Sequence, residues 1–429
     1  MQSAFRVSPR IAKDDAILQN LANAVRGVAR HLNRVVNCMS NLYNDHFFDR
    51  TIDRRSTESI KWNYYDEDVL PMWVADMDFR CANPVVEALR ARVEHGIFGY
   101  PGEPPELREV IVNRLRRRFD WTIEAESLVF LPSVYTGFHL AAHAVARPGD
   151  GVLITPPVYF PILSVPKNAS LRGRLTALLC DDGLRYGIDF DRFEDSIDGR
   201  SRLFVLCNPH NPVGRVYTRS ELERLAEICE THDLIVCSDE IHADFVFEGH
   251  RHVPFAALSP EIDRRTITLM STTKSFNVAG IPFAFAVISD PKLRERYENA
   301  TMGLVHGPGV MGYTAALAAF RDGDEWLDGL VAYLQANRDA TAEYVRERLP
   351  GVAMAPLEGT YLAWLDLRVA GIDGSPYEVL LERARLATVD GAMFGPGGDG
   401  FVRLNLACPR ETLIDGLERI ERALESRRV

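Results

Sequence analysis

Lysine is scarce in this chain of 429 residues. Lys13, Lys61, Lys167, Lys274 and Lys292 are the only ones among 49 basic side chains, a bias that speaks of genome composition rather than mechanism. Long apolar runs are absent as well. None approaches the roughly 18 residues that a membrane-crossing helix needs. Positive charge is not in excess, and the formal net charge of -11 leaves no electrostatic footprint for nucleic acid or an anionic membrane. The seven cysteines are odd in number, scattered, and never spaced C-x-x-C. That pattern excludes a disulfide framework and a zinc ribbon, and it fits reduced thiols in a cytoplasmic protein. No internal repeat or low-complexity tract is visible. What remains is an ordinary globular composition, 46% hydrophobic and 25% charged, on a chain long enough for more than one domain.

Residues 1–42 read as an N-terminal helical extension. Ile17, Leu18, Leu21, Val25, Val28, Leu32 and Val35 recur at helical spacing, with Arg26, Arg30 and Arg34 between them. Asp14 and Asp15 sit badly in a targeting peptide and no cleavage pattern follows. A soluble helix is the better expectation, part of it translated leader upstream of a start at Met39. Residues 43–83 read as an arm belonging to a small domain. From residue 84 to 325 helical and strand patterns alternate. Pro84 to Glu94 is expected as a helix capped by Asn83, and Glu106 to Arg118 as another. Short apolar runs follow at Leu128–Leu131, Gly151–Thr155, Leu203–Leu206, Leu234–Ser238, Thr266–Met270 and Phe283–Ile288, with helical stretches such as Ser220–Thr231 among them. This alternation predicts an α/β fold with a mostly parallel sheet, whose ligand lies beyond the carboxyl ends of the strands. Residues 326–429 change character. A long helix (Trp326–Leu349) precedes a short α+β pattern, which is expected to form a smaller C-terminal domain.

Four segments fall where strands end. They are Cys207-Asn208-Pro209-His210-Asn211-Pro212-Val213-Gly214, Ser238-Asp239-Glu240-Ile241-His242, Ser271-Thr272-Thr273-Lys274-Ser275-Phe276-Asn277, and Phe401-Val402-Arg403-Leu404-Asn405. A lysine amine in a confined site forms a Schiff base with an aldehyde. The Ser271 and Thr273 hydroxyls beside it suit a phosphate. The Asp239 carboxylate suits a pyridinium nitrogen, and Asn211 and His242 suit a phenolic oxygen. These are the needs of pyridoxal phosphate (PLP) as an electron sink. Arg403 can grip a substrate carboxylate through two parallel hydrogen bonds. Each residue alone has a commoner reading: Asp239 as a helix cap, Lys274 as a solvated surface group, His242 as a satisfied core histidine, Arg403 as half of a fixed ion pair. Their joint order is what carries the inference.

That order resembles the fold-type I PLP enzymes, within them the class II aminotransferase-like group, and more narrowly the MalY/PatB group of cystathionine β-lyase-type C–S lyases. The stretches Pro71-Met72-Trp73-Val74-Ala75-Asp76-Met77-Asp78-Phe79, Gly96-Ile97-Phe98-Gly99-Tyr100, Thr360-Tyr361-Leu362-Ala363-Trp364 and the continuation to Arg410 carry the same likeness, which covers about residues 43 to 427. The resemblance implies an aspartate-aminotransferase-like fold. In it Lys274 would hold PLP and act as acid and base at the substrate's α-carbon. Asp239 would hold the pyridinium proton, and Tyr159 would stack on the ring. Asn211 and His242 would face the phenolic oxygen. Ser133 and Val134 would meet the phosphate at a helix N-terminus, with Ser271 and Thr273 adding hydroxyls. Tyr100 would reach the phosphate of a neighbouring subunit, so a homodimer is implied. Arg403 would bind the α-carboxylate of an amino-acid substrate, and Val74 and Ala75 would line its entrance. One departure stands out. Typical aminotransferases place a phosphate-anchoring arginine eight residues after the lysine, and here that position is Pro282. The lyase group often lacks it too. The implied activity is cleavage of cystathionine or another L-cysteine S-conjugate to thiol, pyruvate and ammonia. The alternatives are transamination of an α-amino acid and a specialised reaction on an S-cysteinyl intermediate of secondary metabolism.

Overall fold

The computed structural model describes residue 43 and residues 45–425, so the expected helix within 1–42 lies outside the described residues. From Phe48 onward the chain forms one compact unit. Its larger sheet has seven strands: β1 (Leu128–Leu131), β2 (Gly151–Ile154), β3 (Arg172–Leu175), β4 (Ser201–Cys207), β5 (Ile235–Asp239), β6 (Thr266–Ser271) and β7 (Ala284–Val287), in the order β1-β7-β6-β5-β4-β2-β3. All pairings are parallel except the two made by β7. β7 runs back antiparallel to β6 across a connection, residues 272–283, whose only helix is the single turn Thr272–Ser275, so no full-length crossover helix carries the chain back for a parallel return.

Side-chain alternation along the strands explains why both faces are covered. Val152, Ile154, Leu203, Val205 and Leu269 pack with Phe138, Ala141, Ala142 and Val145 of helix α1 (Val134–Val145). Leu153, Phe204, Leu206 and Val236 point the other way, onto Leu222, Leu225 and Ile228 of helix α2 (Arg219–Thr231). Such two-sided burial is what near-continuous apolar strands require. A capping box, with Thr218 and Glu221 bonding reciprocally, starts α2 at the expected place. Asn83 does not cap its helix. Ala82 occupies that position without a side-chain bond, and Asn83 is the first residue of the helix Asn83–His95, whose start relies on Pro84. Strand β3 was not expected. Its sequence Arg-Gly-Arg-Leu lies at the sheet edge, exposed or half-exposed throughout, and carries no apolar signal.

A second, antiparallel sheet is built from β8 (Ala353–Met354), β9 (Leu362–Asp366), β10 (Val389–Asp390) and β11 (Phe401–Asn405), in the order β8-β9-β11-β10. Leu70–Pro71 of the preceding arm pairs with Leu386–Ala387 beside this sheet. Helix α3 (Arg410–Glu425) lies so close to the arm that a Cβ at Gly416 would stand 2.4 Å from the sulfur of Met72. Trp364, Val389 and Phe401 of the second sheet, with Phe394 from the turn Gly391–Phe394, share one apolar cluster with Phe204 and Val236 of the first. Among the described residues no helix is long and apolar enough to cross a membrane.

Candidate active site

The carboxyl ends of the parallel strands point towards one edge, and the site residues gather there. Ser133 lies two residues beyond β1, Tyr159 five beyond β2, Asn211 four beyond β4, Asp239 at the end of β5, and Lys274 three beyond β6. Arg403 comes from β11 of the second sheet. With Val134, Val74, Ala75, His242 and Thr273, all of these line one cavity of about 600 Å³.

Lys274 is half-buried and donates from Nζ to the Ala75 carbonyl at 2.7 Å. Burial, with Arg403 adding to it, pushes its amine down to about 8, while Asp76 and Asp239 pull the other way. The neutral nucleophilic form is therefore far more accessible near neutral pH than for an ordinary lysine. Asp239 is buried, and its one resolved hydrogen bond is from the Ile241 amide, 3.1 Å away. Burial raises its carboxyl to about 7, with Glu240 adding to the rise and the Ile241 amide and Lys274 opposing it. A buried carboxylate so poorly matched within the protein is suited to a cationic partner placed in the cavity. His242 is pushed down to about 3 by burial and by the nearby Lys274 and Arg403, so it is neutral, and its Nδ1 has no partner among the described residues.

Arg403 is buried, and burial lowers its guanidinium to about 10. It donates to Asn211 Oδ1 at 3.0 Å and to the Trp73 carbonyl at 3.1 Å, and its Nε has no partner. No carboxylate of the described residues forms an ion pair with it, which removes the reading of Arg403 as half of a fixed salt bridge. A buried guanidinium held only by neutral oxygens is primed for an incoming carboxylate. At the other end, Ser133 caps α1 by accepting from the Thr136 amide at 3.1 Å. The free amides of the first turn of this twelve-residue helix are there to meet an anion.

One residue is placed differently from what the sequence implied. The Ser271 hydroxyl is consumed locally: it donates to the Phe283 carbonyl at 2.6 Å and accepts from the Thr273 amide at 3.0 Å, and it does not line the cavity. Tyr100 is fully exposed and lies outside the cavity of its own chain. Other contributors went unassigned. Tyr361 donates to the Ala75 carbonyl at 2.8 Å, and its ring meets His242. Asn405 donates to the carbonyls of Val74 and Asp76, and Asn277 to those of Met77 and Phe79. These side chains replace secondary structure in holding the arm across the site. Asn277 and Asn405 stood in the quoted motifs, but nothing in a linear sequence says which carbonyls they reach.

Amine, buried carboxyl, unpaired histidine nitrogen and helix N-terminus together fit PLP, and this fold and site define a family. The chain belongs to the class I and II aminotransferases, whose family model matches residues 67–420. Within that family it is 38% identical over 386 residues to cystathionine beta-lyase PatB of Bacillus subtilis, covering 88% of this chain and 99% of the relative. Two solved structures superpose with a TM-score of 0.85 and 88% of this chain covered. OvoB is 43% identical, with 99% of its chain covered. PLP-containing cystalysin of Treponema denticola is 31% identical, with 98% covered.

Proposed function

We propose that this protein is a PLP-dependent carbon–sulfur β-lyase that converts an L-cysteine S-conjugate and water to a thiol, pyruvate and ammonium. The observation that carries the reading is the joint presence, in one cavity, of a softened lysine amine, a buried carboxyl and a buried guanidinium with no carboxylate partner. Bound PLP would supply the electron sink that stabilises negative charge at the substrate's α-carbon. Lys274 tethers the cofactor and carries the proton at that carbon. Asp239 keeps the ring nitrogen protonated, and burial makes that ion pair strong. Thr273, Ser133 and the first amides of α1 hold the phosphate, without help from an arginine at Pro282. Tyr159 would lie against the ring, and Asn211 and His242 would face its phenolic oxygen. Arg403 fixes the substrate carboxylate, so that the bond to be broken at the α-carbon is held in one orientation. Val74 and Ala75 wall the entrance.

Elimination is favoured over transamination by the names of the relatives and by the charge of the cavity. Among the described residues of this chain its lining cations are Lys274 and Arg403, and these offer a dicarboxylic keto acid no second anchor. A homodimer is part of the proposal, with Tyr100 serving the phosphate of the partner's site. The exposure of Ile97, Phe98, Tyr100, Met302 and Leu304 in the single chain supports it. Residues 43–83 and 326–429 are taken as the smaller domain and 84–325 as the larger.

Purified, PLP-loaded protein given an S-substituted L-cysteine and no keto acid should release thiol, pyruvate and ammonia in equal amounts. Turnover that requires an added keto acid and yields a new amino acid would overturn the lyase reading in favour of transamination. Arg403→Lys keeps the charge but loses the two-pronged grip. Its kcat/KM should fall about tenfold or more, mostly through KM, with cofactor absorbance and Tm little changed. An unaltered KM in the folded, loaded variant would remove Arg403 from substrate binding.

A further inference from the structure

Exposure divides the cavity into a floor and a mouth. Asp239, His242 and Arg403 are buried at the floor, whereas Tyr64, Phe160 and Met393 are open to solvent at the mouth. The arm leads from one to the other. Its Ala75 carbonyl takes Lys274, its Trp73 carbonyl takes Arg403, and the Trp73 ring then joins a group of aromatic rings. Tyr64 and Trp73 have centroids 5.1 Å apart, Tyr65 and Trp73 5.6 Å, and Tyr64 and Tyr65 4.9 Å, all tilted or edge-on. Apart from the Tyr64 hydroxyl, the polar side-chain atoms of this group are tied back. Trp73 Nε1 donates to the Lys61 carbonyl at 3.1 Å, and the Tyr65 and Tyr377 hydroxyls meet at 3.0 Å. What the mouth presents is therefore ring surface, on a cluster that is wet instead of packed into a core: Tyr64 is 64% exposed.

Charge narrows the choice of ligand further. The charged residues lining the cavity are Asp239, Lys274, Asp390 and Arg403. The cofactor and the α-carboxylate use three of them, which leaves Asp390, half-buried, with one oxygen spent on the Ala392 amide at 3.1 Å. Among the described residues of this chain, a leaving group bearing a carboxylate would meet this acid and no cation.

We infer that the sulfur substituent of the substrate carries an aromatic ring without negative charge, seated among Tyr64, Tyr65, Trp73 and Tyr377 at the mouth of the cavity. This rests on the lyase reading and names the substrate class that it left open. In the reaction the carbon–sulfur bond breaks, the thiolate leaves with the bonding pair and takes a proton. Water then enters to give pyruvate and ammonium, with no oxidant or reductant needed. Ring-on-ring contact adds a fewfold to tenfold over a saturated ring of equal size, and a carboxylate facing Asp390 removes that gain and more.

The test compares S-benzyl-, S-cyclohexylmethyl- and S-(4-carboxybenzyl)-L-cysteine on the PLP-loaded enzyme. Both kcat/KM for thiol release and dissociation constants read from cofactor absorbance are measured. The benzyl conjugate should lead the cyclohexylmethyl one severalfold and the carboxybenzyl one at least tenfold, in both measurements. Tyr64→Ala, at an exposed position, should narrow the benzyl-to-cyclohexylmethyl ratio while cofactor absorbance stays the same. Equal constants for the three conjugates, a lead for the carboxylate, or a ratio indifferent to Tyr64→Ala would overturn the aromatic subsite. The predicted order of binding without any pyruvate would keep the subsite and overturn the lyase reading instead.

Discussion

Lys274→Ala is expected to remove turnover almost completely, by a factor on the order of a thousand or more, because one amine is both the tether of the cofactor and the proton carrier at the α-carbon. The loss should appear in kcat, and an excess of free PLP should not restore it. Folding should survive. The Lys274 amine makes one hydrogen bond, to the Ala75 carbonyl, and Tyr361 donates to the same oxygen. A variant that folds, binds PLP without covalent attachment, and turns over at more than a few per cent of the parent rate would contradict the role.

Asp239→Asn should separate stability from activity. In PLP-loaded enzyme the neutral amide cannot keep the ring nitrogen protonated, and kcat should fall about a hundredfold to a thousandfold, the range for losing one preorganised electrostatic partner. In the cofactor-free protein the effect should have the opposite sign. The folded carboxyl titrates near 7, above its usual 3.8, because burial disfavours the charge. The folded state thus retains a proton that the unfolded chain releases at lower pH. Stability from this group is full below about pH 4 and is lost as pH rises through 7. Asparagine has no charge to bury, so the cofactor-free variant should melt above the parent at pH 8, with the difference shrinking as pH falls and vanishing towards pH 4. A variant that melts below the parent at both pH values would show that Asp239 is a structural acid.

Much of the architecture was legible because buried parallel strands must be apolar. The runs at Leu203–Leu206 and Thr266–Met270 announced β4 and β6, and the helical stretch Ser220–Thr231 announced α2. The misses have physical causes. Edge strand β3 buries little, so Arg-Gly-Arg-Leu carries no signal. The reversal of β7 depends on a connection without a full-length crossover helix, not on the composition of the strand. Asn83 is a good cap residue one position too late. At the site, the motif order singled out Lys274, Asp239, Asn211, His242 and Arg403, which the fold brings to one cavity. The same order put the Ser271 hydroxyl at the phosphate, where the geometry spends it on the Phe283 carbonyl. The aromatic mouth was invisible. Tyr64 and Tyr65 stand more than 300 residues from Tyr377, and no spacing rule joins an arm to a helix of the second sheet.

The account stands most directly on one covalent bond. Borohydride reduction of the PLP-loaded protein fixes the cofactor to whichever amine carries it, and peptide mapping then reads the residue. Four other lysines, at positions 13, 61, 167 and 292, compete for the label. The expected result is a single pyridoxyl-bearing peptide spanning Ser271 to Asn277, labelled at Lys274 and absent from Lys274→Ala. A label on any other lysine, or none at all on a protein that retains PLP, would contradict the assignment of this cavity as the cofactor site.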